Sequence, residues 1–221
     1  VKKQILELNP DLIIVAAYGQ IIPKDILDIP RFGSLNLHPS LLPKYRGPSP
    51  IQTAILNNDQ TTGLTIILMD EKMDHGPIIA QKTINISPND TYQTLEGKLA
   101  QLASNYLIKI LPQYIQGKIK PKPQDENKAS YTKILTRQDG KIDWSKSAQE
   151  IERMVRAFSP WPGTWTEFNN KRVKILKAKV VDKESKATVK TGDGYLFLEL
   201  VQPAGKRPMT GEEFFRGYSQ G

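Results

Sequence analysis

The stretch Ser34-Leu35-Asn36-Leu37-His38-Pro39-Ser40-Leu41-Leu42-Pro43-Lys44-Tyr45-Arg46-Gly47 decides how the chain is read. It opens by alternation, with Leu35 and Leu37 on one side and Asn36 and His38 on the other, the period-2 pattern of a strand. Side chains two apart on a strand point the same way, so Asn36 and His38 would serve one small volume. Pro39 ends the strand, and Pro43 and Gly47 close a rigid loop. The pair therefore falls at the carboxyl end of its strand, where open α/β sheets place their chemistry.

Working outward, Leu12 to Ala17 and Gly63 to Met69 are short continuous apolar runs, as strands buried on both faces require. A helix end at residues 1–9, a short helix near Pro23 to Leu27 and another over Pro48 to Leu56 separate them. Pro77 to Ile86 alternates as an outer strand. Asp90 or Thr91 caps a long helix with apolar positions at Leu95, Leu99, Leu102, Tyr106 and Ile110. Alternating strands and helices predict an α/β domain, a partial Rossmann-like parallel sheet with helices on both sides, over residues 1–117.

Residues 118–130, rich in lysine and proline and without apolar periodicity, read as a linker. Beyond it, over 131–221, an amphipathic helix from Ser147 precedes three strand-like runs at Thr164–Phe168, Arg172–Val181 and Tyr195–Val201, then a short closing helix over Glu212–Tyr218. That pattern predicts a small β-rich, OB-like domain.

Composition sets outer limits. No apolar run approaches the roughly 20 residues of a membrane span, and Val1-Lys2-Lys3 leads into a segment too short and too charged for a signal sequence. With no cysteine among 221 residues there is no thiol nucleophile, disulfide or thiolate metal site, and a cytoplasmic location is the expectation. The net charge of +8 is uneven: residues 131–221 carry 17 Lys and Arg against 11 Asp and Glu. A polyanionic partner for that half is one reading, a soluble basic surface the other.

Asn36, His38 and Asp74, each expected at the carboxyl end of a parallel strand, form a candidate set. An amide can donate to a carbonyl oxygen that becomes an oxyanion. An imidazole moves protons near neutral pH, and a carboxylate beside it orients the ring. The set holds no serine or cysteine, so direct attack by a substrate amine on an acyl group fits better than a covalent enzyme intermediate. Taken alone, Asn-x-His also suits an edge hydrogen bond, and Asp74 before Gly76 suits a turn. His75 competes for the proton-transfer role, and with His38 and Asp74 it could also form a metal site. Metal is the weaker reading, because sequence neighbours such as Asp74 and His75 tend to point apart.

These residues carry a resemblance. Asn36-Leu-His38-Pro-Ser-Leu-Leu-Pro-x-Tyr-Arg46-Gly47, with Asp74 thirty-six positions after His38 in Met-Asp-x-x-x-Asp-x-Gly, resembles the folate-dependent formyltransferases. Ile142-Asp143-Trp144, Arg156-Ala157-Phe158-Ser-Pro-Trp161-Pro162 and Gln202-Pro203-Ala204-Gly205-Lys206 resemble the carboxy-terminal domain of the methionyl-tRNA branch of that family. The resemblance implies a formyltransferase fold, 10-formyltetrahydrofolate as donor with no metal, and the α-amino group of methionine on initiator methionyl-tRNA as acceptor. It implies that Asn36 holds the formyl oxygen, that His38 assists proton movement and that Asp74 orients His38. Ser40, Leu41, Leu42 and Pro43 would line the folate site. The basic second domain would hold tRNA, with Lys141, Arg153, Arg156, Lys206 and Arg207 as candidates. A monomer is expected, with no protein partner and no membrane. Glycinamide ribonucleotide and amino-sugar formyltransferases resemble residues 33–76 nearly as well. A non-catalytic RNA-binding remnant is a third reading.

Three departures from the family pattern stand out. The chain opens in mid-pattern, which implies that about 60 or more residues of the family's first domain, some two βα units, precede it. Lys72 and His75 stand where the family often has glycine and threonine; a lysine at a glycine position would strain a turn needing positive φ, and His75 would sit where it could perturb Asp74. Residues 181–192 form a shortened segment, which predicts an open β domain rather than a closed barrel.

Overall fold

The computed structural model describes residues 1–218, which fall into two units. The first comprises residues 1–54, 59–87 and 95–134; the second comprises 55–58, 88–94 and the chain from 135 onward.

In the first unit, α1 (Lys2–Leu8) ends at Asn9, whose backbone is left-handed at φ 44°. Then come β1 (Ile13–Val15), α2 (Lys24–Leu27), β2 (Ser34–His38), α3 (Pro50–Leu56), β3 (Thr61–Leu68) and β4 (Ile78–Asn85), whose strands form one sheet in the order β1-β2-β3-β4. β1 is parallel to β2, with Ile14 opposite Leu35. β3, by contrast, runs antiparallel to β2, with His38 opposite Thr65 and Leu35 opposite Leu68, and β4 is antiparallel to β3. The sheet is therefore mixed, and the expectation of parallel strands fails at β3. An uninterrupted apolar run such as 63–69 reports burial on both faces and carries no information about direction.

The long helix α4 (Tyr92–Ile115) starts where Thr91 accepts from the Thr94 amide at 3.3 Å. It lays Leu102, Tyr106 and Ile110 on Leu35, Leu64, Ile66 and Ile79 of the sheet. Burying the sheet's Leu35, Leu64 and Ile66 in this layer contributes about 2 kcal/mol for each side chain removed from water.

Residues 118–130 belong to the first unit. Ile78 and Lys122 exchange backbone hydrogen bonds at 2.7 and 2.8 Å. Further along, the Arg46 amide donates to Ser130 O at 2.8 Å and the Thr132 amide to Arg46 O at 2.7 Å. A short 3₁₀ turn, Glu126–Lys128, lies between these attachments.

The second unit opens with α5 (Ala148–Phe158), set by a capping box in which Ser147 and Glu150 satisfy each other's backbone amides. β5 (Thr164–Phe168), β6 (Lys171–Val181), β7 (Thr188–Lys190) and β8 (Tyr195–Pro203) follow in the order β5-β6-β8-β7. A two-residue strand, β9 (Met209–Thr210), pairs with β8. Among the described residues no strand pairing joins β5 to β7, so the sheet is open. Its core gathers Ile151 and Val155 of α5, Val173, Ile175, Leu196, Leu198 and Val201 of the sheet, and Phe214 of α6 (Gly211–Tyr218).

Candidate active site

β2 ends in its polar pair. His38 is buried, 4% exposed, while Asn36 is half-buried. Because β3 is antiparallel, its carboxyl end lies beside the start of β2, and the Met69 amide donates to Ser34 O at 2.8 Å. Residues 69–76 must therefore double back along β2 to bring Asp74 level with His38. They do so through a left-handed backbone at Asp74 (φ 49°) and a close approach at Gly76, where a Cβ would collide with the Leu68 carbonyl. Lys72 has no positive φ, so its side chain strains nothing there.

The three groups meet. The Asn36 amide donates from Nδ2 to Asp74 Oδ1 at 3.2 Å, and His38 Nδ1 lies 3.5 Å from that same oxygen. The Gly47 backbone amide donates to Asp74 Oδ2 at 2.7 Å. Gly47 adopts φ 106°, and a Cβ there would lie 2.9 Å from Thr132 O, so glycine serves both the turn and the close packing. On the other side of the ring, His38 Nε2 stands 2.9 Å from the Tyr45 carbonyl. A carbonyl can only accept, so Nε2 carries hydrogen and, in the neutral ring, Nδ1 presents a lone pair beside the Asp74 carboxylate. Burial, which disfavours the charged ring, holds His38 below the ordinary imidazole range; the Asp74 charge and the Tyr45 carbonyl oppose that shift without overcoming it.

The predicted folate-lining residues divide. Ser40 and Leu42 are buried. Ser40 Oγ donates to Lys44 O at 2.6 Å, and Thr65 clamps this loop to β3, donating to Ser40 O at 2.6 Å while accepting from the Leu42 amide at 3.1 Å. Leu41 and Pro43 are the half-exposed members of the set.

His75 turns away from Asp74. Its Nδ1 stands 2.6 Å from Asp70 Oδ2 and its Nε2 3.5 Å from Glu126. A shallow depression lined by Ile84, Lys98, Gln101, Leu102 and Asn105 lies on the α4–β4 side of the first unit.

Composition gave no warning of Arg46 and its partners. The guanidinium is fully buried, with 0% exposure. It makes a two-pronged pair with Glu126 (2.6 and 2.9 Å), meets Gln124 Oε1 at 2.8 and 3.1 Å, and reaches Tyr131 Oη at 3.0 Å. The Glu126 pairing raises the Arg46 pKa and in turn holds the Glu126 carboxyl below its ordinary range.

In the second unit, two of the basic candidates are spoken for. Arg153 donates to Leu56 O at 3.1 Å, and Arg156 binds Glu152 at 2.7 Å and Asp90 O at 2.7 Å. Lys141, Lys206 and Arg207 are exposed. Lys171, Arg172 and Lys174 on β6 are further exposed bases, and period 2 within Lys171–Val181 puts Arg172 and Lys174 on one face.

Comparison with known proteins bears on this arrangement. Residues 1–111 match the formyl transferase family model, and residues 134–219 match the formyl transferase C-terminal domain. A methionyl-tRNA formyltransferase from Roseiflexus sp. (strain RS-1) is 45% identical over 97% of this chain and 70% of its own length. Among solved structures, HypX from Aquifex aeolicus in complex with tetrahydrofolic acid superposes with a TM-score of 0.74 at 19% identity, over 100% of this chain and 42% of that one. A methionyl-tRNA formyltransferase from Clostridium thermocellum superposes with a TM-score of 0.67 at 19% identity, over 83% of this chain and 78% of its own. The two structural likenesses establish the fold; the sequence identity, spread over both domains, establishes that the chain belongs to the methionyl-tRNA formyltransferase family.

Proposed function

We propose that this protein transfers a formyl group from 10-formyltetrahydrofolate to the α-amino group of methionine carried on initiator tRNA, with Asn36, His38 and Asp74 as the reacting site. The observation that carries this reading is the convergence of amide, imidazole and carboxylate on one spot, with His38 Nδ1 beside Asp74 and Nε2 at the Tyr45 carbonyl. The donor supplies a one-carbon acyl group on a nitrogen that can leave. One Nδ2 hydrogen of Asn36 is given to Asp74; the other is available to the oxygen on which negative charge develops as the amine adds to the formyl carbon. His38 Nδ1 takes the amine proton. The resulting imidazolium lies between the Asp74 carboxylate and the Tyr45 carbonyl, both of which favour its charge. Returning that proton to the leaving nitrogen completes the exchange, with formyl-amine and tetrahydrofolate as products.

Leu41 and Pro43, half-exposed in the loop clamped by Thr65, support a folate-lining role for Ser40 to Pro43, in which Ser40 and Leu42 act through the shape they give the loop. The exposed bases of the second unit, Lys171, Arg172, Lys174, Lys206 and Arg207, support tRNA binding through phosphates. Incubating the full-length protein with 10-formyltetrahydrofolate and, in parallel, charged initiator methionyl-tRNA, glycinamide ribonucleotide or a nucleotide-linked amino sugar tests the acceptor. Formylation confined to the methionyl-tRNA reaction is expected; a faster reaction with either small amine would overturn the assignment.

A further inference from the structure

We propose that Gln124 is a positioning residue for Asp74, so that the segment following α4 forms part of the catalytic machinery. This rests on the role given to Asp74 above. The Gln124 side chain uses both ends. Its Nε2 donates to the Asp74 carbonyl and to the Gly76 carbonyl, each at 2.8 Å, and its Oε1 accepts from Arg46 Nε and Nη2 at 3.1 and 2.8 Å. Asp74 itself has a left-handed backbone, φ 49°, which aspartate tolerates better than most residues, and the bonds to its own carbonyl and to that of Gly76 hold the turn in this form.

The carboxylate itself has separate partners. Gly47 N and Asn36 Nδ2 reach it from the β2 side. Gly47 follows Arg46 directly in sequence, so one buried side chain and its neighbour's amide tie both the backbone and the carboxylate of Asp74 to a single anchor. Arg46 is in turn locked by Glu126 and Tyr131, which lie two and seven residues beyond Gln124. The chain from 122 to 131 thus acts as a strap over the Asp74 loop. Its fastenings are Lys122 at Ile78, Gln124 at Asp74 and Gly76, Glu126 at Arg46, and Ser130 at Tyr45 and Arg46. Gln124 is the one side chain in it that touches the catalytic loop's own carbonyls among the hydrogen bonds of the described residues.

Gln124→Glu removes the positioning contacts, and the Asp74→Asn background separates their loss from a general effect on the fold. A carboxylate still accepts from Arg46, so the anchor survives, but it has no hydrogen to give the two carbonyls. Formyl transfer by the full-length protein is measured for wild type, Gln124→Glu, Asp74→Asn and the double variant, together with thermal midpoints; Gln124→Met carries the same cycle should the glutamate variant not fold. The expected result is a kcat reduced by about 10- to 100-fold in Gln124→Glu, with KM for the folate donor within about twofold of wild type and a lowered midpoint, because a carboxylate oxygen now faces the two carbonyls. In the Asp74→Asn background the same substitution should change the rate by less than about twofold, because the group it positions has already lost its function. A wild-type kcat in Gln124→Glu would overturn the proposal while leaving the role of Asp74 intact, and so would an equal fold-loss in both backgrounds. A wild-type rate in Asp74→Asn alone would remove the role of Asp74 and the proposal with it.

Discussion

His38 Nδ1 and Asp74 Oδ1 face each other at 3.5 Å across the end of β2, although the residues are separated by 36 positions and a strand that runs the opposite way. With Nε2 committed to Tyr45, the neutral imidazole and the carboxylate are two acceptors side by side, an arrangement suited to an N–H donor.

The first prediction concerns pH. Burial lowers the His38 pKa, so the ring stays neutral through its ordinary titration near pH 6.5 and activity falls only on the acid side of that value. Stability follows by linkage. The unfolded chain takes up a proton at about pH 6.5 and the folded chain only at lower pH, so between the two the unfolded state binds more protons. The fold therefore keeps its full stability above about pH 6.5 and loses it as pH drops through that window. Thermal midpoints measured from pH 7.5 to 5 should show this loss in wild type and a smaller one in His38→Gln; identical slopes would contradict it.

Arg46 supplies a second. Replacing it with methionine removes the hydrogen bonds to Glu126, Gln124 and Tyr131 at once. Glu126 is half-exposed and regains water, but Gln124 Oε1 is left without its donor, so a cost of about 3 kcal/mol in chemical denaturation is expected. Arg46→Met should also slow formyl transfer, through the loop that carries Asp74. A variant as stable as wild type would show that the buried guanidinium is not the anchor described.

Much of this was legible in the sequence. Asn36 and His38 share a strand face because period 2 puts them there, and Ser147 to Glu150 announces its helix start through a local capping box. The direction of β3 was hidden, since Gly63 to Met69 would be equally apolar running either way. Arg46 and Gln124 were hidden for another reason: 78 residues separate them, and a glutamine among lysines and prolines resembles any solvated connection. Charge alone did not reveal that Arg153 and Arg156 also have partners within the chain, because a guanidinium can bind backbone carbonyls as well as phosphates.

On β6, Lys171 and Lys174 are exposed, and Arg172 lies 4.0 Å over the Trp165 ring. Changing Lys171 or Lys174 to alanine should weaken methionyl-tRNA binding and reduce the salt dependence of log Kd by about one unit of slope for each phosphate that is no longer neutralised. Filter binding between 50 and 200 mM salt, roughly the range over which such ion pairs are screened, reads both quantities. An unchanged slope would move the tRNA surface elsewhere on the unit.

The most direct measurement is single-turnover formyl transfer to charged initiator methionyl-tRNA by the full-length protein, wild type against His38→Ala, at saturating 10-formyltetrahydrofolate. The rate should fall by about 10²- to 10⁴-fold on loss of the imidazole, with binding of both substrates retained. Equal rates for the two proteins would show that proton transfer does not pass through His38, and the site built around it would have to be abandoned.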